Sequence, residues 1–278
     1  MTGAGAGPYA ALDWRFEVRC DVAVIAQELD RVLEPLRVEL PAERTYQIRR
    51  VPDDGGLELS CDAEVLCCSA DEALVFRRLL GHLNVGALLA SPQYVLLHAA
   101  AAEHHGRAVI LSAPMESGKT TLVAGLVRSG LDYLTDEAVA VRPSDGRLVG
   151  YPKALSIDRG SWDVLRDLRP PQVGERQHLG AVQWQVPVTA IRADAICASA
   201  EPAVVILPRY VHGAPTVLTE ISRGNALMEV LQQCFHLDRN RNRDMRVLAK
   251  MLGRCDTYRL QVGELDAAVD LVRSALGP

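Results

Sequence analysis

Gly118, Lys119 and Thr120 are the residues best suited to chemistry. They close the stretch Ala113-Pro114-Met115-Glu116-Ser117-Gly118-Lys119-Thr120, whose spacing is that of a phosphate-binding loop, G-x-x-x-x-G-K-[ST], with alanine in the first glycine position. The chemistry asks for these types in this order. A glycine lets backbone N–H groups come close to a polyphosphate. The lysine neutralises the outer phosphate oxygens, the threonine hydroxyl can ligate Mg2+, and the N-terminus of a following helix adds partial positive charge toward the same anion.

The elements that must position such a loop are legible on both sides. Arg107 to Ser112 is an apolar, strand-length run, and Leu122, Val123, Leu126 and Val127 recur at helical spacing before Gly130. Strand, loop and helix therefore follow in the required order. Upstream, Tyr94 to Leu97 is an apolar run ending at His98. Downstream, Leu134-Thr135-Asp136-Glu137 precedes the apolar stretch Ala138 to Val141, which predicts two adjacent carboxylates at a strand end. Neighbours on a strand point to opposite sides, so both carboxylates can serve one site only if the strand ends or bulges there.

Leu97-His98, the strand, the loop, the helix and the Asp136-Glu137 pair together resemble the HPr kinase/phosphorylase superfamily, whose fold is similar to that of PEP carboxykinase. The likeness is greatest to its relatives in peptide natural-product pathways, such as lasso peptide kinases. Tyr151 to Ser156 and the run beginning Gln233-Cys234-Phe235 share it.

The resemblance implies a mixed-sheet α/β P-loop kinase core over residues 91–278. Residues 113–120 and Thr121 would bind ATP, and Thr120 and Glu137 would hold Mg2+. Asp136 would be the base for an acceptor hydroxyl and His98 a catalytic hydrogen-bonding partner, with Lys153 near the nucleotide phosphates. For Lys153 an exposed lysine at a strand end is an equal reading, and for His98 a core histidine is the competing one. The implied activity is ATP- and Mg2+-dependent transfer of a phosphoryl group to a Ser or Thr hydroxyl of a peptide or small protein. A nucleotide-binding regulatory or scaffold protein, or a small-molecule kinase, are the other readings, and GTP in place of ATP stays open.

Composition bounds the rest. The chain has 278 residues, 49% of them hydrophobic, with 35 acidic against 30 basic and a net charge of -5. That balance argues against nucleic acid or an anionic membrane as the main partner, and so does an aromatic content of 5%. Seven cysteines without C-x-x-C spacing suit a reducing cytoplasm. No membrane-length apolar run or leader is expected, and a homo-oligomer is compatible with everything above.

The N-terminal 90 residues predict a tail over 1–8 and a small α/β unit over 9–90. Trp14, Phe16, Val18 and Cys20 alternate as a half-buried strand, and Asp21 is placed to cap a helix carrying Ile25, Leu29, Val32 and Leu33. Strands over 45–51 and 57–61 are joined by Asp53-Asp54-Gly55-Gly56. Ser69 to Glu72 reads as a capping box for a long helix. The unit packs on the core or grips a partner.

Later features complete the set. Arg169 to His178 reads as a long surface connection or lid, and Ala203 to Pro208 as a central strand with Arg209 at its end. Arg239, Arg241, Arg243 and Arg246 are either a solvated helix entry or an anchor for a phosphate or acidic peptide, with the helix itself expected from Asp244 to Leu252.

Overall fold

The alternation from Trp14 to Cys20 becomes a strand with Phe16, Val18 and Cys20 buried, in the computed structural model, which describes residues 4–51, 55–170 and 179–277. The N-terminal sheet has five strands in sequential order: β1 (Ala4–Ala11), β2 (Trp14–Cys20), β3 (Arg44–Arg50), β4 (Leu57–Cys61) and β5 (Glu64–Ser69). Only β2 and β3 are parallel, so a crossover must join them, and α1 (Ala23–Leu33) supplies it. The apolar stripes of α1 and of α2 (Glu72–Leu89) enter one cluster with Tyr9, Phe16, Tyr46 and Ile48.

Three local expectations are corrected here. The predicted tail overlaps a strand, Ala4–Ala11, paired antiparallel with β2. The exposed edge of β2 offers unpaired N–H and C=O groups, and they are satisfied by this slim Gly- and Ala-rich segment. Asp21 does not cap α1: the N-cap is Val22, without a side-chain bond, and the Asp21 N–H donates to Ile48 O at 3.0 Å. The cap of α2 is Asp71, whose carboxylate accepts from Leu74 N at 3.1 Å, while Ser69 Oγ accepts from Asp71 N at 3.0 Å. The turn at Asp53-Asp54 lies outside the described residues.

The rest of the chain runs β6 (Val95–His104), β7 (Arg107–Ser112), α3 (Lys119–Arg128), β8 (Asp132–Thr135), β9 (Ala138–Val141), β10 (Leu148–Val149), β11 (Leu155–Asp158), β12 (Gln183–Val186), β13 (Ser199–Tyr210), β14 (Val217–Glu220), α4 (Arg223–Gln232), α5 (Leu237–Leu252), β15 (Asp256–Val262) and α6 (Leu265–Leu276). The main sheet has the order β10-β9-β6-β7-β13-β15-β14, with β8 also on β6 and a small β11–β12 pair apart. β13 is parallel to both β7 and β15, and β10 bridges from β9 to the start of β13.

Strand alternation divides the interior into two layers. Ala100, Val109, Leu111, Val204 and Ile206 face α3 and α6, while Ala99, Ala101, Ile110, Val205 and Leu207 face α4 and α5. A sheet covered on both faces explains why its strands read as continuous apolar runs. The chain is a mixed α/β fold with several sheets, and among its described residues no helix is long and apolar enough to cross a membrane.

The N-terminal unit packs on this core. Ala138, Tyr151 and Ala154 enter its cluster, and Tyr151 donates to Asn84 Oδ1 at 2.6 Å. Gly150, just before Tyr151, permits a close backbone approach: a Cβ there would lie 2.3 Å from Cys197 O. Main chain cannot swing aside as a side-chain tip can. Gly150→Ala is therefore expected to cost about 1–3 kcal/mol, the range for overpacking. Urea denaturation checks this, and a midpoint equal to wild type would show that the approach is relaxed without cost.

Candidate functional site

β7 is a central strand, and its C-terminal end opens into the turn that leads to α3. Two residues of that turn are left-handed, Glu116 at φ 62° and Gly118 at φ 90°. Such turns gather neighbouring N–H groups into an anion-binding concavity. Ala113 is not left-handed, so the backbone has no need of glycine there. The strained non-glycine residue is Glu116, which the motif did not single out.

Lys119 opens α3 and is buried at 5% exposure. Its ammonium donates to Ala113 O and Pro114 O, both at 2.7 Å, and among the described residues no carboxylate is within ion-pair distance. Burial lowers its pKa to about 8, more distant Glu137 and Asp136 opposing the shift. Ser117 Oγ is buried without a partner. Pro114, Met115 and Glu116 are exposed on the rim, and the Thr121 hydroxyl is shared with Ser161.

β8 and β9 lie in line along one edge of β6, interrupted at Asp136 and Glu137. The Thr135 hydroxyl accepts from Glu137 N at 3.2 Å and Ala138 N at 3.3 Å, which fixes the break. Asp136 is buried and Glu137 half-buried, so the two carboxylates differ in access. Asp136 Oδ1 accepts from Tyr133 OH and from the Lys153 ammonium, both at 2.8 Å. Its Oδ2 accepts from Thr120 Oγ1 and Ser156 N, both at 3.3 Å. A carboxylate has about four acceptor sites, and here each has a donor. Burial, followed by the charge of Asp136, raises the Tyr133 pKa far above the usual phenol value, so this donor keeps its proton.

Lys153 is not the exposed lysine of the equal reading: it is buried against Asp136, and it also donates to Ala154 O at 3.0 Å and Ser156 Oγ at 3.3 Å. Glu137 Oε2 lies 3.8 Å from the same ammonium. Between these carboxylates and the loop runs the part of β6 that carries Ala99 to Ala102. On the α3 face of that stretch stand only Ala100 and Ala102, and Thr120 and Asp136 meet on that side at 3.3 Å.

His98 pairs opposite Ala138 and donates its N–H to Gln233 O at 2.7 Å. Its ring stands edge-on to Phe235, with centroids 5.9 Å apart. Burial, then the Lys119 charge, lowers its pKa, so it is neutral at pH 7.

Thr120, Asp136, Glu137 and Lys153 are thus in one network, with Lys119 and His98 close enough to feel its charges. Tyr133, Ser156 and Phe235 were not singled out as site residues: Ser156 and Phe235 enter through long-range packing, while Tyr133 reaches Asp136 from three residues away across the strand end, a contact no motif marks. Tyr210, half-exposed at the end of β13, has its Cβ 3.7 Å from where a Cβ on Gly118 would be. Arg209 is exposed beside it and, among the described residues, has no side-chain partner.

The arginine run is divided. The helix begins at Leu237, earlier than expected, and is kinked at Asn240. Arg243 donates to Pro92 O at 3.0 Å, Tyr94 O at 3.2 Å and Asp244 Oδ1 at 2.8 Å, which makes it a structural clamp. Arg239, Arg241 and Arg246 are exposed. The expected lid falls largely on residues 171–178, outside those described.

No family model matches the chain, and no curated protein does. A solved structure of the HPr(Ser) kinase/phosphatase from Coxiella burnetii is similar over 64% of this chain and 94% of that one, at 13% identity and a TM-score of 0.31. That is a distant likeness of architecture and no more.

The residues fit a phosphate group. A buried ammonium without a counter-anion and an unpartnered buried hydroxyl meet at a helix N-terminus. For a metal, no cluster of three or more His, Cys, Asp and Glu is present among the described residues. Mg2+ with a nucleotide commonly takes only one or two carboxylates, the phosphates and water, and Thr120 with Asp136 would fit that smaller set if the metal replaced the long 3.3 Å bond between them.

Proposed function

We propose that the protein is an ATP- and Mg2+-dependent kinase that phosphorylates a Ser or Thr hydroxyl of a peptide or small protein. The observation that carries the nucleotide part is the buried Lys119 ammonium, held by two loop carbonyls and lacking an anion. Resemblance of the loop, His98 and the acidic pair to the HPr kinase/phosphorylase superfamily supports the acceptor class. Bound Mg2+ would neutralise charge on the phosphates. The loop N–H groups and Lys119 would hold those phosphates, and Thr120 and Asp136 would hold the metal.

We assign the base to Glu137 rather than Asp136, because Oδ1 of Asp136 is held by Tyr133 and Lys153 and its more loosely bonded Oδ2 is the oxygen left for the metal, whereas Glu137 is the more accessible carboxylate. Glu137 would take the proton of the acceptor hydroxyl as its oxygen bonds the γ-phosphorus and the bond to the departing ADP breaks. Neutral His98 would orient the acceptor by a hydrogen bond. The saturated Asp136 is also the observation that favours a nucleotide-binding regulator, which would bind ATP without transferring phosphate.

The test is transfer of label from γ-labelled Mg-ATP to pooled Ser and Thr peptides, with nucleotide affinity measured by calorimetry from pH 7 to 9.5. Below pH 8 Lys119 carries its proton in the free protein. Above about 8 the free protein loses it while the complex requires it, so affinity should fall by up to about tenfold per pH unit. A pH-independent Kd would move the nucleotide away from Lys119. Binding with the expected pH dependence but no label on any peptide would favour the regulator.

A further inference from the structure

The strongest unassigned feature is a groove where α2 ends, with about 360 Å³ of open space, between Leu88 and Leu89 on one side and the kinked first turns of α5 on the other. Its apolar lining includes Tyr94, Leu96 and Phe235. Phe235 also stands edge-on to His98, so one aromatic ring separates the groove from the candidate site. Most of that space is open to solvent and the enclosed part is about 30 Å³, so the groove can seat the tip of one side chain of a longer ligand that lies along the surface.

Charge distinguishes the rim. Arg239 lines the groove, is exposed, and has no side-chain partner among the described residues, whereas Arg243 and Asp244 beside it neutralise one another. Arg241 and Arg246 add exposed positive charge on the same helix of a chain whose net charge is -5. An apolar stripe continues from the groove along α2, where Val85 and Leu89 are 52% and 50% exposed and share a face at i, i+4 spacing.

Building on the kinase reading for the position of the acceptor, we propose that this groove is the docking subsite for the substrate peptide. It takes an apolar side chain with a carboxylate beside it, which Arg239 receives. Phe235 then forms the wall past which the peptide reaches His98 and Glu137. The apolar part supplies affinity and the cation supplies selectivity against basic sequences.

The experiment uses an array of synthetic decapeptides, each with a central Ser and varied flanks, probed with fluorescently labelled full-length protein without nucleotide. Wild type should retain peptides with adjacent acidic and apolar residues. Arg239→Glu should lose that retention by about tenfold and turn toward basic peptides, a reversal that a structural role for Arg239 would not produce. Leu89→Asn should weaken retention without changing charge preference. Because both positions are exposed, melting temperatures should match wild type. An Arg239→Glu preference unchanged from wild type overturns the proposal, and so does a wild-type dimer in sedimentation that Arg239→Glu splits, since the groove would then belong to a second copy. Label transfer to the retained peptides is scored separately: retention without transfer keeps the docking groove and removes the kinase reading.

Discussion

Asp136→Asn is expected to lower phosphoryl transfer by about 10²–10³-fold, the size seen when one preorganised electrostatic group is removed. It should also reduce folding stability, by up to about 3–5 kcal/mol, because buried Lys153 would keep only Glu137, at 3.8 Å, as a counter-charge. The two losses have different origins and can be separated. Adding Lys153→Met removes the second charge, and replacing both members of a buried pair with neutral groups is often close to neutral for stability. The double variant should thus recover most of the urea midpoint and none of the activity. A stable single variant would show that the pair is better solvated than its 2.8 Å contact indicates, and full activity would remove Asp136 from the site.

Lys119→Ala should behave differently. Deleting a buried cation that has no counter-anion relieves a desolvation cost but also removes its bonds to Ala113 O and Pro114 O, so the free protein should stay within about 1–2 kcal/mol of wild type. What disappears is the response to nucleotide. At a concentration one hundred times the Kd, Mg-ATP should stabilise wild type by about 2.7 kcal/mol, and the variant should lose most of that gain. Thermal melts with and without Mg-ATP make the comparison. An unchanged shift in Lys119→Ala would place the nucleotide elsewhere.

Local patterns carried the outline of the site into the sequence. The run Arg107 to Ser112 and the 3.6-residue spacing of Leu122, Val123, Leu126 and Val127 are properties of neighbouring residues, and both elements form where their patterns place them. Ser222 caps α4 in the ordinary way, its hydroxyl accepting from Asn225 N.

What the sequence did not disclose depends on partners far along the chain. Nothing around Lys153 indicates that its ammonium will meet Asp136, or that Ser156 will fill the same carboxylate. Arg243 looks like its neighbours until Pro92 and Tyr94 present their carbonyls. The strand from Ala4 has almost no side-chain signal, because an edge position asks chiefly for backbone pairing.

The partner exchange along β6 has a consequence for how the protein is made. Residues 99–104 pair with β7, while Leu96 and His98 are bonded on that side by Phe235 and Gln233. β7 itself lacks its parallel neighbour until β13 arrives. On the ribosome the loop and its lysine emerge well before either partner, and closing such distant pairings is slow. The strand that carries His98 is completed only after Phe235 leaves the exit tunnel, so the nascent chain holds the motif long before it holds the site.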